Sequence, residues 1–402
     1  MKLKILINSL AGGGAERQIA LLSKHISIDE VIILENEIAY KLSNTKITSL
    51  CKNNKKQSSI VKTLLIPVYA YRLNKVVEQN DIIVSFLERA NFVNIVFKLL
   101  FRKKNVTVII NERTTPSRAF KKGLKRFNIV LLKKLYPFAD LILSASIGVK
   151  DDLLALCKVP ESKIKVINNA CDSDYIKIRS GENIEAKYKP IFTDHVIANV
   201  GSLREPKGQW HLIRIFAQLK NEFSNVKLVI LGDGKLRNYL IRLAVESGLR
   251  VYSIWDQKSE ESNNIENIED HDIYFLGFQE NPFSILKRSF IFVLFSLWEG
   301  FPNVLLEAMA VGLPVLAADC QSGPSEILSK DNYGILLPVL DNRYYSSDEP
   351  LTSEEKIWQV AIQKMLSNKK MRKEYAVKSK ERAKKFDPQR IAAEWKEIFR
   401  TI

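Results

Sequence analysis

Short unbroken apolar runs recur along the whole chain, separated by longer stretches in which apolar positions return every three or four residues. Runs of that kind, bounded by glycine or polar clusters, mark strands buried on both faces, and the periodic stretches between them mark amphipathic helices. In the first half the pattern predicts strands at Lys2 to Ser9, Val31 to Leu34, Ile82 to Phe86, Thr107 to Asn111, Leu141 to Ser144 and Lys165 to Ile167. After a polar stretch, Ser180 to Asp194, it restarts with Val196 to Gly201, Val226 to Gly232, Asp272 to Leu276, Ile291 to Phe295 and Pro314 to Ala318. Strands alternating with helices predict an α/β protein with parallel, doubly wound sheets. Two such series imply two Rossmann-like domains, residues 1–190 and 191–385, facing a cleft. Phe386 to Ile402 reads as a closing amphipathic helix, and the acidic, patternless tract Asp256 to Asp272 as a mobile surface loop.

At 402 residues the chain is long enough for each domain to bury its own core. No apolar run approaches the roughly 18 residues of a transmembrane helix. The opening Met1 to Asn8 is too short an apolar stretch for a signal peptide, so a cytoplasmic protein is expected. Cys51, Cys157, Cys171 and Cys320 show no CxxC spacing, and only four histidines are present, which argues against a zinc site or a disulfide framework. Charge is divided unevenly. Residues 1–190 hold 33 Lys and Arg against 17 Asp and Glu, whereas residues 191–402 hold 28 of each. A basic first half and a neutral second half suggest that the first faces an anionic partner, nucleic acid or a membrane surface.

The candidate chemistry is densest in Ser296 to Met309, with Val311-Gly312-Leu313-Pro314-Val315 behind it. Ile291 to Phe295 is a buried strand, Glu299 to Pro302 a turn, and Val304 to Ala310 a helix ending at Gly312. Glu299 therefore stands at a strand's carboxyl end and Glu307 about two turns into the helix. Ligands of open α/β sheets bind at that edge, near helix N-termini. Two carboxylates there would repel phosphate, so they read as acceptors for neutral hydroxyls, such as those of sugars and riboses. The plainer alternative makes Glu299 a solvated turn residue and Glu307 a first-turn helix acid.

With its flanks Gly300-Phe301-Pro302-Asn303 and Gly312-Leu313-Pro314-Val315, this segment resembles the retaining, metal-independent glycosyltransferases of family 4, which have the GT-B fold. The resemblance covers most of the chain. It implies that Glu299 meets the donor sugar's hydroxyls, that the backbone of Gly300, Phe301, Pro302 and Asn303 lies against sugar and phosphates, and that Leu306 and Glu307 meet the nucleotide, with Glu307 on the ribose. It also implies that the C-terminal helix crosses back onto the first domain.

Other motifs fall in place around it. Ala11-Gly12-Gly13-Gly14-Ala15-Glu16-Arg17 follows the first strand and opens a helix, where glycines admit a ligand to the backbone and the helix end attracts phosphate. A dinucleotide-binding reading, which Glu35 would support, fails because Arg17 stands where a third glycine is needed. The resemblance puts Gly13 and Gly14 beside the donor phosphates. In Gly201-Ser202-Leu203-Arg204-Glu205-Pro206-Lys207-Gly208, Lys207 matches the family's diphosphate-binding lysine, and Ser202 stands at the usual arginine position, with Arg204 as the second cation. Such a pair can balance a leaving diphosphate without a metal ion; a solvent-exposed charge pair is the alternative. Gly234, in Gly232-Asp233-Gly234, and Gly277-Phe278 resemble elements lining the nucleotide pocket, the latter beside the base. Ser325 and Glu326 either cap a helix or serve as ligand groups. Asp172-Ser173-Asp174 allows a cation-binding reading, but its context resembles a turn of the GT-B family.

Glu112 and Arg113, in Asn111-Glu112-Arg113-Thr114-Thr115-Pro116, occupy a loop that the resemblance turns toward the acceptor; an ordinary loop function is the alternative. Ala119 to Pro137 carries Lys121, Lys122, Lys125, Arg126, Lys133 and Lys134 among apolar residues, and Arg102, Lys103 and Lys104 lie nearby. That composition suits an interfacial helix at anionic lipid headgroups or a lipid pyrophosphate, or a basic surface helix packed on its own sheet. The reading implied is transfer of a hexose or N-acetylhexosamine from a nucleotide-diphosphate sugar, UDP-linked, to a membrane-associated glycan. It needs no cofactor and no metal, and it places the protein at the inner face of the cell membrane in polysaccharide, lipopolysaccharide or lipid-linked oligosaccharide assembly. The alternatives are a nucleotide-sugar epimerase of the same fold and a basic nucleic-acid-binding protein. The latter lacks an RNA-binding or helix-turn-helix signature.

Overall fold

The computed structural model describes residues 2–40, 42, 45–51, 59–120, 126–256 and 268–402. The chain divides into two compact units, Met1–Ala170 with Phe386–Ile402, and Cys171–Lys385.

The first unit is built on strands β1 (Leu3–Ile7), β2 (Glu30–Ile33), β3 (Lys46–Ser49), β4 (Ile82–Phe86), β5 (Thr107–Glu112), β6 (Leu141–Ser144) and β7 (Ile164–Val166). They form one sheet in the order β3-β2-β1-β4-β5-β6-β7, and every pair is parallel. Strands covered on both faces have no polar side, which is why β4 reads Ile-Ile-Val-Ser-Phe with every residue buried. One face packs Leu6, Ile83, Val108 and Ile110 against Phe92 and Tyr136. The other packs Ile7, Val84 and Ile109 against Ile19 and against Trp395 and Ile398 of the helix Pro388–Thr401. That helix starts with proline in its first turn under an Asp387 cap, and its Trp395 stacks on Phe86 at 6.0 Å between ring centres.

The second unit repeats the plan with β8 (His195–Val200), β9 (Val226–Leu231), β10 (Val251–Ser253), β11 (Ile273–Phe275), β12 (Ile291–Leu294), β13 (Val315–Ala318) and β14 (Ile335–Leu337), ordered β10-β11-β9-β8-β12-β13-β14 and again parallel. In each sheet the chain passes from one half to the other at a central switch point, between β1 and β4 and between β8 and β12. These switch points are where an open α/β sheet offers a binding crevice at its carboxyl edge.

Three differences from the sequence-based expectation have physical reasons. The units divide at Ala170/Cys171 and not at 190. The polar stretch after Ser180 hides Ile184, Tyr188 and Ile191, which pack on Val196, Val229 and Tyr274 of the second sheet. Strands β3, β10 and β14 were not anticipated; all three are outermost, only three or four residues long and partly exposed, so none carries a long apolar run. Of the acidic tract, 257–267 lies outside the described residues, and its end is no surface loop: Asp272 is 4% exposed and paired with Lys220 and Arg250.

Candidate functional site

At the β8/β12 switch point the two loops are held together. Leu297 N donates to the Pro206 carbonyl at 2.8 Å. Gly208, at φ +58°, lies so close that a Cβ would come within 2.5 Å of the Phe295 carbonyl oxygen, so only glycine fits. This register brings Lys207 to Glu299, 92 residues on, in a direct ion pair with side chains 20% and 12% exposed. The same Glu299 oxygen accepts from Ser296 Oγ at 2.7 Å, and Ser322 Oγ donates to the Glu299 carbonyl at 2.7 Å. The aliphatic stem of Lys207 runs past Gly201, at 3.5 Å from where a Cβ would stand. Arg204, by contrast, is exposed.

Glycine also sets the neighbouring loops. Gly232 has φ +135°, and a Cβ there would lie 2.1 Å from the Gly201 oxygen; one at Gly234 would lie 2.3 Å from the Leu203 oxygen. Gly232 N donates to the Gly277 carbonyl at 2.7 Å. Gly277 has φ +67° beside Ile254 and Trp255, and the ring of Phe278 stands 73% exposed. Gly300, Phe301 and Pro302 are buried, and Gly323, at φ +94°, approaches Gly300 and Pro302 too closely for a side chain. The helix Asn303–Val311 begins there and ends at Gly312, φ +94°. Glu307 lies past its first turn and is 6% exposed, so the first-turn alternative does not hold; the Leu306 side chain belongs to the interior. The structure thus gathers Lys207, Glu299, Gly234, Gly277 and Gly300 to Asn303 at one sheet edge. Ser296 and Ser322, which hold Glu299, were not anticipated; the Ser-x-x-Glu spacing of Ser296 and Glu299 was the available signal.

Ser325 and Glu326 do not cap: the helix Pro324–Leu328 is capped by Gly323 without a side-chain bond. Asp172 is a cap, accepting from Tyr175 N at 2.9 Å.

In the first unit, Gly13 caps the helix Gly14–Leu22, with the Glu16 carboxyl folded back over it. At the β1/β4 switch point Arg89 bonds Asn8 and pairs with Glu35, which also takes Lys62 at 2.8 Å. Glu112 is turned inward and 1% exposed. Its Oε2 accepts from Tyr136 OH at 2.7 Å and its Oε1 from Thr114 Oγ1 at 2.9 Å and Arg113 N at 3.1 Å. Burial first, and then the charge of Glu88, push its pKa up to about 7 against the pull of these donors. Burial likewise brings Arg113 down to about 10.

Lys121, Lys122 and Lys125 lie outside the described residues. Arg126 opens the helix Arg126–Leu135, which packs through Leu132, Ile129 and Leu135 and leaves Phe127 and Val130 56% and 46% exposed beside exposed Lys133 and Lys134. Among the described residues no helix is long and apolar enough to cross a membrane.

Comparison with known proteins shows what the chain is similar to. Residues 181–345 match the family model described as glycosyl transferases group 1. An uncharacterised glycosyltransferase of Methanocaldococcus jannaschii is 33% identical, with 86% of each chain covered. The N-acetylgalactosamine-N,N'-diacetylbacillosaminyl-diphospho-undecaprenol 4-alpha-N-acetylgalactosaminyltransferase of Campylobacter jejuni is 32% identical over 97% of each. Among solved structures, Anabaena HepE in complex with UDP and glucose superposes with a TM-score of 0.74 at 17% identity, covering all of both chains. Sucrose-phosphate synthase of Thermosynechococcus elongatus does so at 0.75 and 14%, covering 100% of this chain and 99% of its own. At such identities the structural likeness speaks for the fold alone.

Proposed function

The chain belongs to the group 1 glycosyl transferases, and we propose that it moves a hexose or N-acetylhexosamine from a UDP-sugar to a lipid-linked glycan, with retention of configuration and without a metal ion. The observation that carries this reading is the Lys207–Glu299 ion pair at the switch point of the second sheet. Incoming diphosphate oxygens draw the Lys207 ammonium toward themselves, and Glu299, still steadied by Ser296, turns its freed acceptor capacity to the sugar's hydroxyls. As the sugar–oxygen bond breaks, negative charge grows on the leaving phosphate, and a fixed ammonium stabilises it most at that moment. Arg204, exposed and three residues away in sequence, adds charge at the rim. Glu307 takes the ribose hydroxyls, and Phe278 offers its exposed ring to the base. The leaving phosphate itself assists removal of the acceptor's proton, so catalysis is positioning and charge stabilisation.

The lipid-linked acceptor is supported by the Campylobacter relative, whose name specifies a diphospho-undecaprenol substrate. Support also comes from the cationic helix Arg126–Leu135 with its exposed Phe127 and Val130, a pattern suited to peripheral binding at an anionic membrane.

A thermal-shift screen against UDP-, GDP- and ADP-sugars tests the donor. A ligand held only by the folded state raises the melting temperature, by a few degrees when present at about a hundred times its dissociation constant. A response to UDP-sugars that persists in EDTA is expected; no response to any sugar nucleotide, or one that EDTA abolishes, defeats the donor or the metal-independence assignment respectively.

A further inference from the structure

Strand β5 ends with two hydrogen-bond donors that nothing among the described residues satisfies: Asn111 Nδ2 and Arg113 Nη2, both buried at the atom. Alternate residues of a strand share a face. Ile109 packs with Phe86 and Leu143, which flank Asn111 in register on β4 and β6. Arg113 continues that face past the strand's end, its guanidinium 5.8 Å from the Phe86 ring centre. Glu112 points the other way, to Tyr136 and the side of Glu88. The two open donors are tied to each other, because Arg113 Nη1 reaches Asn111 Oδ1 at 3.5 Å. Exchanging the amide's oxygen and nitrogen would set donor against donor, so the amide nitrogen is the atom left over.

Buried donors without partners are rare in folded proteins and ask for an explanation. Here both stand at the carboxyl edge of a parallel sheet, where ligands bind. Asn111 is 1% exposed, so water has little access to it. Both groups donate and one is a guanidinium, whose planar fork matches oxyanions. A neutral hydroxyl would want an acceptor as well as donors, and Asn111 Oδ1 is already engaged by Arg113.

We propose that Asn111 and Arg113 form an oxyanion subsite in the first unit that takes a phosphoryl oxygen of a substrate diphosphate. The inference rests on the proposed glycosyl transfer, in which two diphosphates are present: that of the sugar nucleotide and that of the lipid-linked acceptor. Arg113 is the charged binding group, Asn111 the neutral one that also orients it, and Glu112 a positioning residue that holds the Arg113 and Thr114 backbone from the opposite face.

Calorimetric titration of the full-length protein and of Arg113→Gln and Asn111→Leu with inorganic pyrophosphate and with UDP tests this. Each variant is expected to bind pyrophosphate about tenfold or more weakly, the loss typical of one charge-assisted hydrogen bond. Unchanged UDP affinity in the variants assigns the subsite to the acceptor's diphosphate, and a parallel loss of UDP affinity assigns it to the donor's; either outcome supports the subsite. Unchanged affinity for both ligands overturns it, as does failure of the unaltered protein to bind pyrophosphate. Should Asn111→Leu not fold, Arg113→Lys, which keeps the charge and removes the fork, carries the same comparison. Calorimetry needs no sugar transfer, so binding of pyrophosphate by a protein that converts no sugar nucleotide would separate a failed activity from a failed subsite.

Discussion

Both sheets are seven-stranded and parallel, yet their carboxyl edges are assembled by different means. In the second unit the edge is built from backbone: Gly208, Gly232, Gly234 and Gly323 bring main chain against main chain closer than any Cβ allows, and Lys207 rests on Glu299 within that frame. In the first unit it is built from side chains. Arg89, Glu35 and Lys62 form one cluster, and Glu112, Tyr136, Asn91 and Thr114 another. Glycines at such close approaches leave no room for a side chain, whereas side-chain networks depend on how completely their charges and hydrogen bonds are matched. On the proposed function, the first would serve the step in which charge develops at a fixed place, and the second recognition of the acceptor.

The largest effect that would break this contrast concerns the fixed cation. Lys207→Ala is expected to lower turnover by about 10- to 1000-fold, the range for removing one stabiliser of a developing oxyanion, while Arg204→Ala costs far less. Steady-state kinetics on both variants, with equal losses, would remove the distinction between held and exposed cation.

Next in size is the difference in tolerance of the two glycine loops. Gly232→Ala combines a φ of +135° with a clash against the Gly201 backbone and should destabilise by about 2–4 kcal/mol in urea unfolding. Gly12→Ala meets nothing within 4 Å and should stay within about 0.5 kcal/mol of the parent. Similar costs at the two positions would contradict the division between backbone-built and side-chain-built edges.

Glu112 sharpens the comparison through pH. Its folded pKa is raised from the usual 4.5 to about 7. Folding therefore favours the protonated acid: that stability is fully present below about pH 4.5 and is lost as pH rises through 7. Glu112→Gln keeps the neutral form at every pH, so the stability of the parent relative to this variant should fall by on the order of 1–3 kcal/mol between pH 5 and pH 8. Parallel pH profiles for the two proteins would show that the buried acid does not titrate in this range.

The smallest expected effect is at the surface. Phe127→Glu should weaken cosedimentation with anionic vesicles several-fold and leave soluble-substrate kinetics alone, since an exposed ring adds modest interfacial free energy and an added carboxylate opposes the anionic surface. Unchanged cosedimentation would detach the membrane reading from this helix.

How much of this was legible beforehand follows from where the information lies. The central strands could be read because burial on both faces demands continuous apolar runs, as in Ile82–Phe86, where the expected and observed limits coincide. The outermost strands β3, β10 and β14 could not, since a three- or four-residue strand with partly exposed positions imposes no such pattern. The glycines around Lys207 and Glu299 were visible as turn signals and as a family resemblance, because a backbone constraint is written locally. The domain boundary was misplaced because the burial of Tyr188 and Ile191 depends on a sheet that begins only later in the chain.

From its sequence alone the chain determined its class, two parallel α/β sheets, and the glycine loops of its proposed site, because hydrophobic periodicity and glycine placement act within a few residues. Tertiary structure alone decided that Lys207 and Glu299 are one ion pair, that Glu112 is a buried acid poised near neutrality, and that Asn111 and Arg113 are left with donors to spare. Each depends on which distant side chains share a desolvated space, and linear order does not record that.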